Sequence, residues 1–176
     1  LGLVRGDLSV NACGEQAVLP MLEGERQVHG HDVLLHAAAF SQAQVIVDFD
    51  SNFMQDHPTA LRNSKQFAAG RKPDDGHMNR LYVYENTYSI TGGMADHRFP
   101  TAHGDIAAAV WALAAELVIG EGMPLPSGSG ISRSQLNRWH KHVAGGEHIA
   151  AVAKDLMDNR GSGLLVAGLR QDPDTH

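Results

Sequence analysis

The chain has 176 residues, of which 43% are hydrophobic, and this is enough for one domain with a core that needs no disulfide or structural metal. Its formal net charge of −6 disfavours binding to a nucleic-acid backbone, and no apolar run reaches the length of about 18 residues that a membrane span needs. The single cysteine, Cys13, excludes an internal disulfide and any cysteine-ligated iron–sulfur or zinc site held by this chain alone.

The two ends of the sequence predict that it is a fragment of a longer polypeptide. It opens at Leu1 with neither a starting Met nor a signal-peptide pattern. It stops just after Pro173 and Asp174, which are typical of the first turn of a helix. We therefore expect some functional groups to lie on other segments.

The first half of the chain contains two predicted strands separated by a helix. Residues 1–42 form an N-terminal segment with little readable pattern. Residues 43–49 are a short β-branched run that favours a buried strand, and 81–84 predict a second one. Between them, residues 59–69 have the spacing of a modest amphipathic helix.

The second half contains three predicted helices and a third strand. The clearest helix has apolar residues at three- and four-residue spacing, and Asp105 is placed to cap its N-terminus. A loop rich in Gly, Pro and Ser follows it. The predicted ranges are 106–119 (helix), 120–130 (loop), 134–143 and 147–159 (helices) and 164–168 (strand).

This order of elements predicts an α/β fold. The final strand is an unalternated apolar run, which is typical of parallel sheets covered on both faces. We expect one domain over residues 43–176, with an open, mostly parallel, Rossmann-like sheet and helices on both faces.

Polar residues follow the first two predicted strands, where open α/β sheets bind ligands. Asp50 and Asn52 come after the first strand, and Glu85 and Asn86 end the second. Carboxylate and amide oxygens accept hydrogen bonds from ribose hydroxyls or a purine amine. The alternative is that these side chains only cap turns and helix starts.

Other sequence patterns give weaker evidence for a functional site. Residues 91–93 (Thr-Gly-Gly) lack the strand and helix context of a phosphate loop, and residues 96–98 (Asp-His-Arg) favour a structural salt bridge. The serines of residues 127–134 lack a nucleophile elbow. Histidines cluster at His29, His31 and His36 and at His140, His142 and His148, but no familiar metal-ligand set completes them, so we expect no metal site and no complete catalytic site.

Several stretches resemble the molybdopterin-oxidoreductase-like family, and most of all the large iron–sulfur subunit of bacterial alternative complex III, a quinol-oxidising respiratory complex. They are Phe-Ala-Ala-Gly-Arg-Lys-Pro at 67–73, the segment 78–98 from Met-Asn-Arg-Leu-Tyr to Ala-Asp-His-Arg, and Asp-Phe-Asp-Ser-Asn-Phe at 48–53. Gly-Leu-Arg-Gln at 168–171 is similar to the family's Gly-x-x-Gln turn. The resemblance covers residues 43–98 and 147–176.

The resemblance also implies which residues contact a cofactor. In the wider family, the acid at the strand end, a Thr-containing loop and an Asp before the long helix contact the guanine nucleotide of molybdopterin guanine dinucleotide. The matching positions are Asp50, Asn52, Glu85, Asn86, Thr91 and Asp105. The Pro-Gly-Thr-Asp turn of the family reads Ala-His-Gly-Asp at 102–105, which departs from the pattern.

Three functions remain open at this point. The first expectation is a scaffold fragment on the periplasmic face of the bacterial inner membrane, which contacts other subunits or domains of the complex. It would carry no redox centre, because the resemblance to the alternative complex III group implies that the molybdenum cofactor is absent and that the iron–sulfur clusters lie in a separate Cys-rich domain. The second is a fragment of a true molybdopterin enzyme that binds the guanine dinucleotide cofactor. The third is a free-standing module for a nucleotide or a small acid.

Overall fold

A computed structural model describes residues 40–125, 131–140, 146–168 and 171, and it confirms the α/β class. Single 3-10 turns lie at Pro73–Asp75 and His103–Asp105, and a π-helical turn, Glu116–Gly120, extends the third helix. The other elements, in chain order, are β1 (Val45–Phe49), α1 (Ala60–Ala69), β2 (Arg71–Lys72), β3 (His77–Met78), β4 (Arg80–Glu85), α2 (Ile90–Gly93), β5 (His97–Pro100), α3 (Ile106–Ala115), α4 (Arg133–His140), α5 (Gly146–Asp158) and β6 (Gly163–Ala167).

Four parallel strands form the main sheet in the order β5-β4-β1-β6. The chain steps outward from β1 to β4 and β5, then crosses back to place β6 on the other side of β1. The order of the strands therefore reverses between β1 and β6. In open α/β sheets, this switch point opens a crevice at the carboxyl ends of the strands.

The side chains of the sheet alternate between two faces, and helices cover both. Val45, Val47 and Phe49 point to the face covered by α3, α4 and α5, here called the α3 face. Ile46 points to the opposite face, where it packs with Phe67 of α1, and this is the α1 face. The prediction of helices on both faces is confirmed.

The helix α3 is the central helix of the α3 face. Its residues 112–115 are buried in the core, and together with the turns at its two ends it forms a helical stretch of 18 residues, His103–Gly120, with a mean hydropathy of 1.3. Length and composition alone would allow this stretch to cross a membrane. Here it packs against α4, α5 and the sheet, as the core helix of a globular domain does.

The prediction that Asp105 caps α3 with its side chain is wrong. Asp105 has a helical backbone (φ −99°, ψ −7°), and its side chain makes no capping hydrogen bond. A capping side chain normally needs an extended backbone at that position. Asp105 instead ends a 3-10 turn, in which its amide donates to the Ala102 carbonyl at 2.8 Å.

Most predicted elements lie within a few residues of the observed ones, but the short elements β2, β3 and α2 and the edge strand β5 were missed. The strand β5 has only four residues, His-Arg-Phe-Pro, and none of them is fully buried, so it shows no apolar strand pattern. Phe40 already packs in the core on the α1 face, before the predicted domain start at residue 43. Cys13, the histidines His29, His31, His36 and His142, and residues 126–130 of the predicted loop lie outside the described residues.

A substitution at Gly168 tests how tightly the chain packs at the switch point. A Cβ at this position would overlap the Asp50 carbonyl oxygen and lie 2.7 Å from the carbonyl carbon, and both are backbone atoms that cannot move aside easily. We expect Gly168→Ala to lower the free energy of unfolding by about 1–3 kcal/mol, measured by urea denaturation. Gly104→Ala is the matched control, because a Cβ there meets nothing within 4 Å. Equal effects of the two substitutions would contradict the close approach at Gly168.

Candidate functional site at the switch point

The candidate site is built where the chain leaves β1 and β6. The Asp50 amide donates to the Tyr84 carbonyl at 2.8 Å, so the first residue after β1 is still tied to β4. On the other side, the Gly168 amide donates to the Phe49 carbonyl at 2.9 Å. These two bonds fix the backbone on both sides of the crevice.

Three side chains from distant parts of the sequence converge on this crevice. The Asp50 Oδ2 atom accepts a hydrogen bond from Gln171 Nε2 at 3.3 Å and lies 3.7 Å from His103 Nδ1. The Asp50 side chain is 20% exposed, and that of His103 is 57% exposed. A carboxylate, an amide and an imidazole thus meet at a surface that a small molecule can reach. We call them the Asp50 group.

The backbone of the turn after β1 is strained. Asp50 has φ +54° and Asn52 has φ +44°, and they are the non-glycine residues with positive φ in the described part of the chain. Aspartate and asparagine tolerate this left-handed conformation better than other side chains do, but it still costs free energy. Such strain persists only where surrounding contacts hold it, and it concentrates at binding sites.

Asn52 and Thr91 hold this turn against α2. The Asn52 Oδ1 atom accepts from the Thr91 hydroxyl at 3.1 Å and from the Thr91 amide at 3.5 Å. The Thr91 hydroxyl oxygen also accepts from the Met54 amide at 3.2 Å. Thr91 is fully buried, so it reaches a ligand only after the turn moves.

Glu85 is buried and lies in an internal network. Its carboxylate forms an ion pair with Arg98 Nε and accepts from the Ser89 hydroxyl at 2.6 Å and the Ser89 amide at 3.4 Å. Only 2% of the Glu85 side chain is exposed. Gly92 lies against the carboxylate so closely that a Cβ there would overlap it, and the Tyr88 ring covers the Arg98 guanidinium at 4.9 Å.

The two remaining predicted residues are exposed. Asn86 follows β4 directly, and Asp105 ends the 3-10 turn that begins at His103. Among the described residues, no hydrogen bond ties either side chain to the Asp50 group. The fold therefore brings Asp50 and Asn52 into one turn, joins Thr91 to Asn52, buries Glu85, and leaves Asn86 and Asp105 at the surface.

Sequence reasoning missed three residues that shape this site. His103 and Gln171 complete the Asp50 group, although Gln171 was part of the Gly-x-x-Gln resemblance. Asp48 was predicted as part of a strand and of the stretch 48–53 that resembles the family, but not as a site residue, yet it is 1% exposed and accepts a hydrogen bond from the Ser51 hydroxyl. A charged residue inside an otherwise apolar run of five was the signal that could have identified it.

His140 and His148, from the second histidine cluster of the sequence, contact other side chains of the protein. His140 Nε2 lies 2.9 Å from Glu116 Oε2, and the His148 ring stacks on Phe99 with a centroid separation of 4.5 Å. Burial lowers the pKa of His148. Within the described ranges, no cluster of three or more His, Cys, Asp or Glu residues could hold a metal ion.

The Asp50 group suits recognition better than catalysis. Its carboxylate can accept from a hydroxyl or amine, and its amide and imidazole can orient that donor. A nucleophile paired with a base and an orienting third group is not assembled among the residues of the group. A scan against models of known protein families gives no match for this chain, and no curated protein sequence matches it.

The contribution of the Glu85–Arg98 ion pair to the stability of the protein can be tested by substitution. We expect Arg98→Met to lower the free energy of unfolding by about 3–5 kcal/mol, because it leaves the Glu85 carboxylate buried without a counter-charge. In a Glu85→Gln background the same substitution should cost much less, since no buried charge is left unpaired. Thermal or urea unfolding of the unaltered protein, the two single variants and the double variant measures this coupling.

The exposed ion pair between Lys154 and Asp158, 2.7 Å apart, provides the control for that cycle. Removing Lys154 should leave the stability nearly unchanged, because solvent screens this pair. A coupling between Glu85 and Arg98 as small as that of the surface pair would contradict a structural role for the buried pair.

Proposed function

We propose that this α/β unit is a scaffold within a molybdopterin-oxidoreductase-like subunit of a quinol-oxidising respiratory complex, and that it carries no redox centre of its own. The resemblance of residues 43–98 and 147–176 to that family supports the class of complex. It also supports a position on the periplasmic face of the bacterial inner membrane. Iron–sulfur clusters would then lie in other segments or subunits that the unit contacts.

The single observation that carries the scaffold role is the burial of Glu85. This residue matches a position that contacts the nucleotide in the wider family, yet its carboxylate is engaged by Arg98 and Ser89. Exchanging those partners for a ligand would leave the Arg98 guanidinium beside an empty acceptor position, which is costly in the interior. Thr91 is likewise buried and bonded to Asn52. Residues with these contacts hold the fold together.

The Asp50 group favours a second candidate, which is binding of a molybdopterin guanine dinucleotide. Asp50 and His103 are accessible, and the donors and acceptors of the group fit the guanine or ribose end of a nucleotide. Asp50 would accept from the base or sugar, and Gln171 and His103 would orient it. The group supplies no phosphate-binding loop, so the fit covers only the nucleoside end of the cofactor.

Metal and pterin analysis of the natively purified complex distinguishes the two candidates. Elemental analysis should detect iron but neither molybdenum nor tungsten, and the fluorescence assay for oxidised pterin should be negative. Molybdenum or tungsten together with pterin would overturn the scaffold proposal. If iron is also absent, a free-standing module for a nucleotide or small acid becomes the better account.

The substitution Asp50→Ala tests whether the cofactor is bound through the Asp50 group. Asp74→Ala, which changes an exposed aspartate, is its control. If the cofactor is bound through the Asp50 group, Asp50→Ala should reduce the pterin content by about tenfold or more while Asp74→Ala leaves it unchanged. If the unit is a scaffold, both variants should assemble with their partner subunits and show the pterin-free composition of the unaltered complex.

A further inference from the structure

Asp48 is as deeply buried as Glu85 but, unlike Glu85, it forms no ion pair with a described residue. It lies in β1, the second strand from one edge, where its register partners are Val83 of β4 and Val166 of β6. Its side chain points to the α1 face, among apolar residues. A charged carboxylate in such surroundings is costly unless several donors surround it.

The hydrogen-bond donors to the Asp48 carboxylate come from Ser51, through its hydroxyl and its backbone amide. Ser51, in the turn after β1, donates its hydroxyl to Oδ1. The Oδ2 atom is buried and has no hydrogen-bond partner. Asp48 thus reaches over the end of its own strand and holds Ser51, which lies between the two strained residues Asp50 and Asn52.

We propose that Asp48 is a proton-controlled latch that keeps the strained turn of residues 50–52 closed while it is protonated and loosens this turn when it ionises. A neutral Asp48 with one bonded oxygen is tolerable in an apolar interior. An ionised Asp48 needs more donors than Ser51 alone can supply. The nearest source of further donors is solvent, which reaches Asp48 when the turn opens.

The surrounding charges favour this behaviour. The charged groups that act on Asp48 are the carboxylates of Glu85 in β4 and Asp50 in the turn, and both raise its pKa. Arg98 of β5 forms its ion pair with Glu85. The neighbouring elements contribute uncharged residues, which are Val166 in β6, Phe67 in α1 and Thr91 in α2. Burial is the largest cause of the shift, and it outweighs the two Ser51 hydrogen bonds, which lower the pKa because they stabilise the ionised carboxylate. The net effect raises the pKa of Asp48 to about 7.

The direction of the pH effect follows from this raised pKa. The closed, folded state binds a proton that the open or unfolded chain releases near its ordinary pKa of 3.8. The stabilising effect is therefore complete below about pH 4 and is lost as the pH rises through about 7. Since Asp50 belongs to the same turn, the latch sets the geometry of the Asp50 group whichever ligand that group takes.

Hydrogen exchange followed by mass spectrometry on the intact protein tests the latch. Between about pH 5 and about pH 8, after correction for the intrinsic exchange rate, we expect the protection of residues 50–56 to fall by about tenfold or more. The amides of Gln55 and Asp56 report it, because both donate to the Asn52 carbonyl. Protection within α3, whose sequence has no titratable side chain, should not change with pH.

Three variants separate the latch from other pH effects. Asp48→Asn should abolish the pH dependence at residues 50–56, while Asp74→Asn, a change at an exposed aspartate, should preserve it. Ser51→Ala should lower protection at every pH, and it serves as the second variant if Asp48→Asn does not fold. A pH-independent turn in the unaltered protein, or an unchanged pH dependence in Asp48→Asn, would overturn the proposal.

Discussion

The burial of two carboxylates on one face of a parallel sheet is the constraint on which the candidate site depends. Asp48 and Glu85 both point to the α1 face near the carboxyl ends of β1 and β4. Each must find partners from the segments that follow its strand. Glu85 recruits Arg98 and Ser89, and Asp48 recruits Ser51, so these two acids fix the course of the chain beyond both strands.

The same contacts explain why the accessible part of the site is small. Glu85, Thr91 and most of the Asn52 side chain are used to hold loops in place. What remains at the surface is the Asp50 group, to which His103 comes from the turn before α3 and Gln171 from the segment after β6. A ligand at this crevice would interact with a carboxylate that the fold has already oriented, which lowers the entropic cost of binding.

Local pattern predicted most of the fold. The β-branched run at 43–49, the three- and four-residue spacing of 106–119 and the apolar run at 164–168 all correspond to observed elements, because each reflects burial of a continuous apolar surface. The strand β5 was missed since an edge strand needs less apolar surface, and the cap at Asp105 was wrong since the 3-10 turn before α3 gives Asp105 a helical backbone. Neither feature is encoded in hydrophobic periodicity.

The sequence by itself determined the fold class and placed Asp50 and Asn52 just after a strand, because both follow from residue order and apolar pattern. Only the tertiary structure decided which polar residues meet. Asp50 and Gln171 lie 121 positions apart, and Glu85 and Arg98 become partners because β4 and β5 are neighbours in the sheet. Burial also separates residues that look alike in sequence: Asp48 is enclosed because it lies inside β1, and Asp50 is accessible because it lies beyond the end of β1, where its positive φ turns the chain.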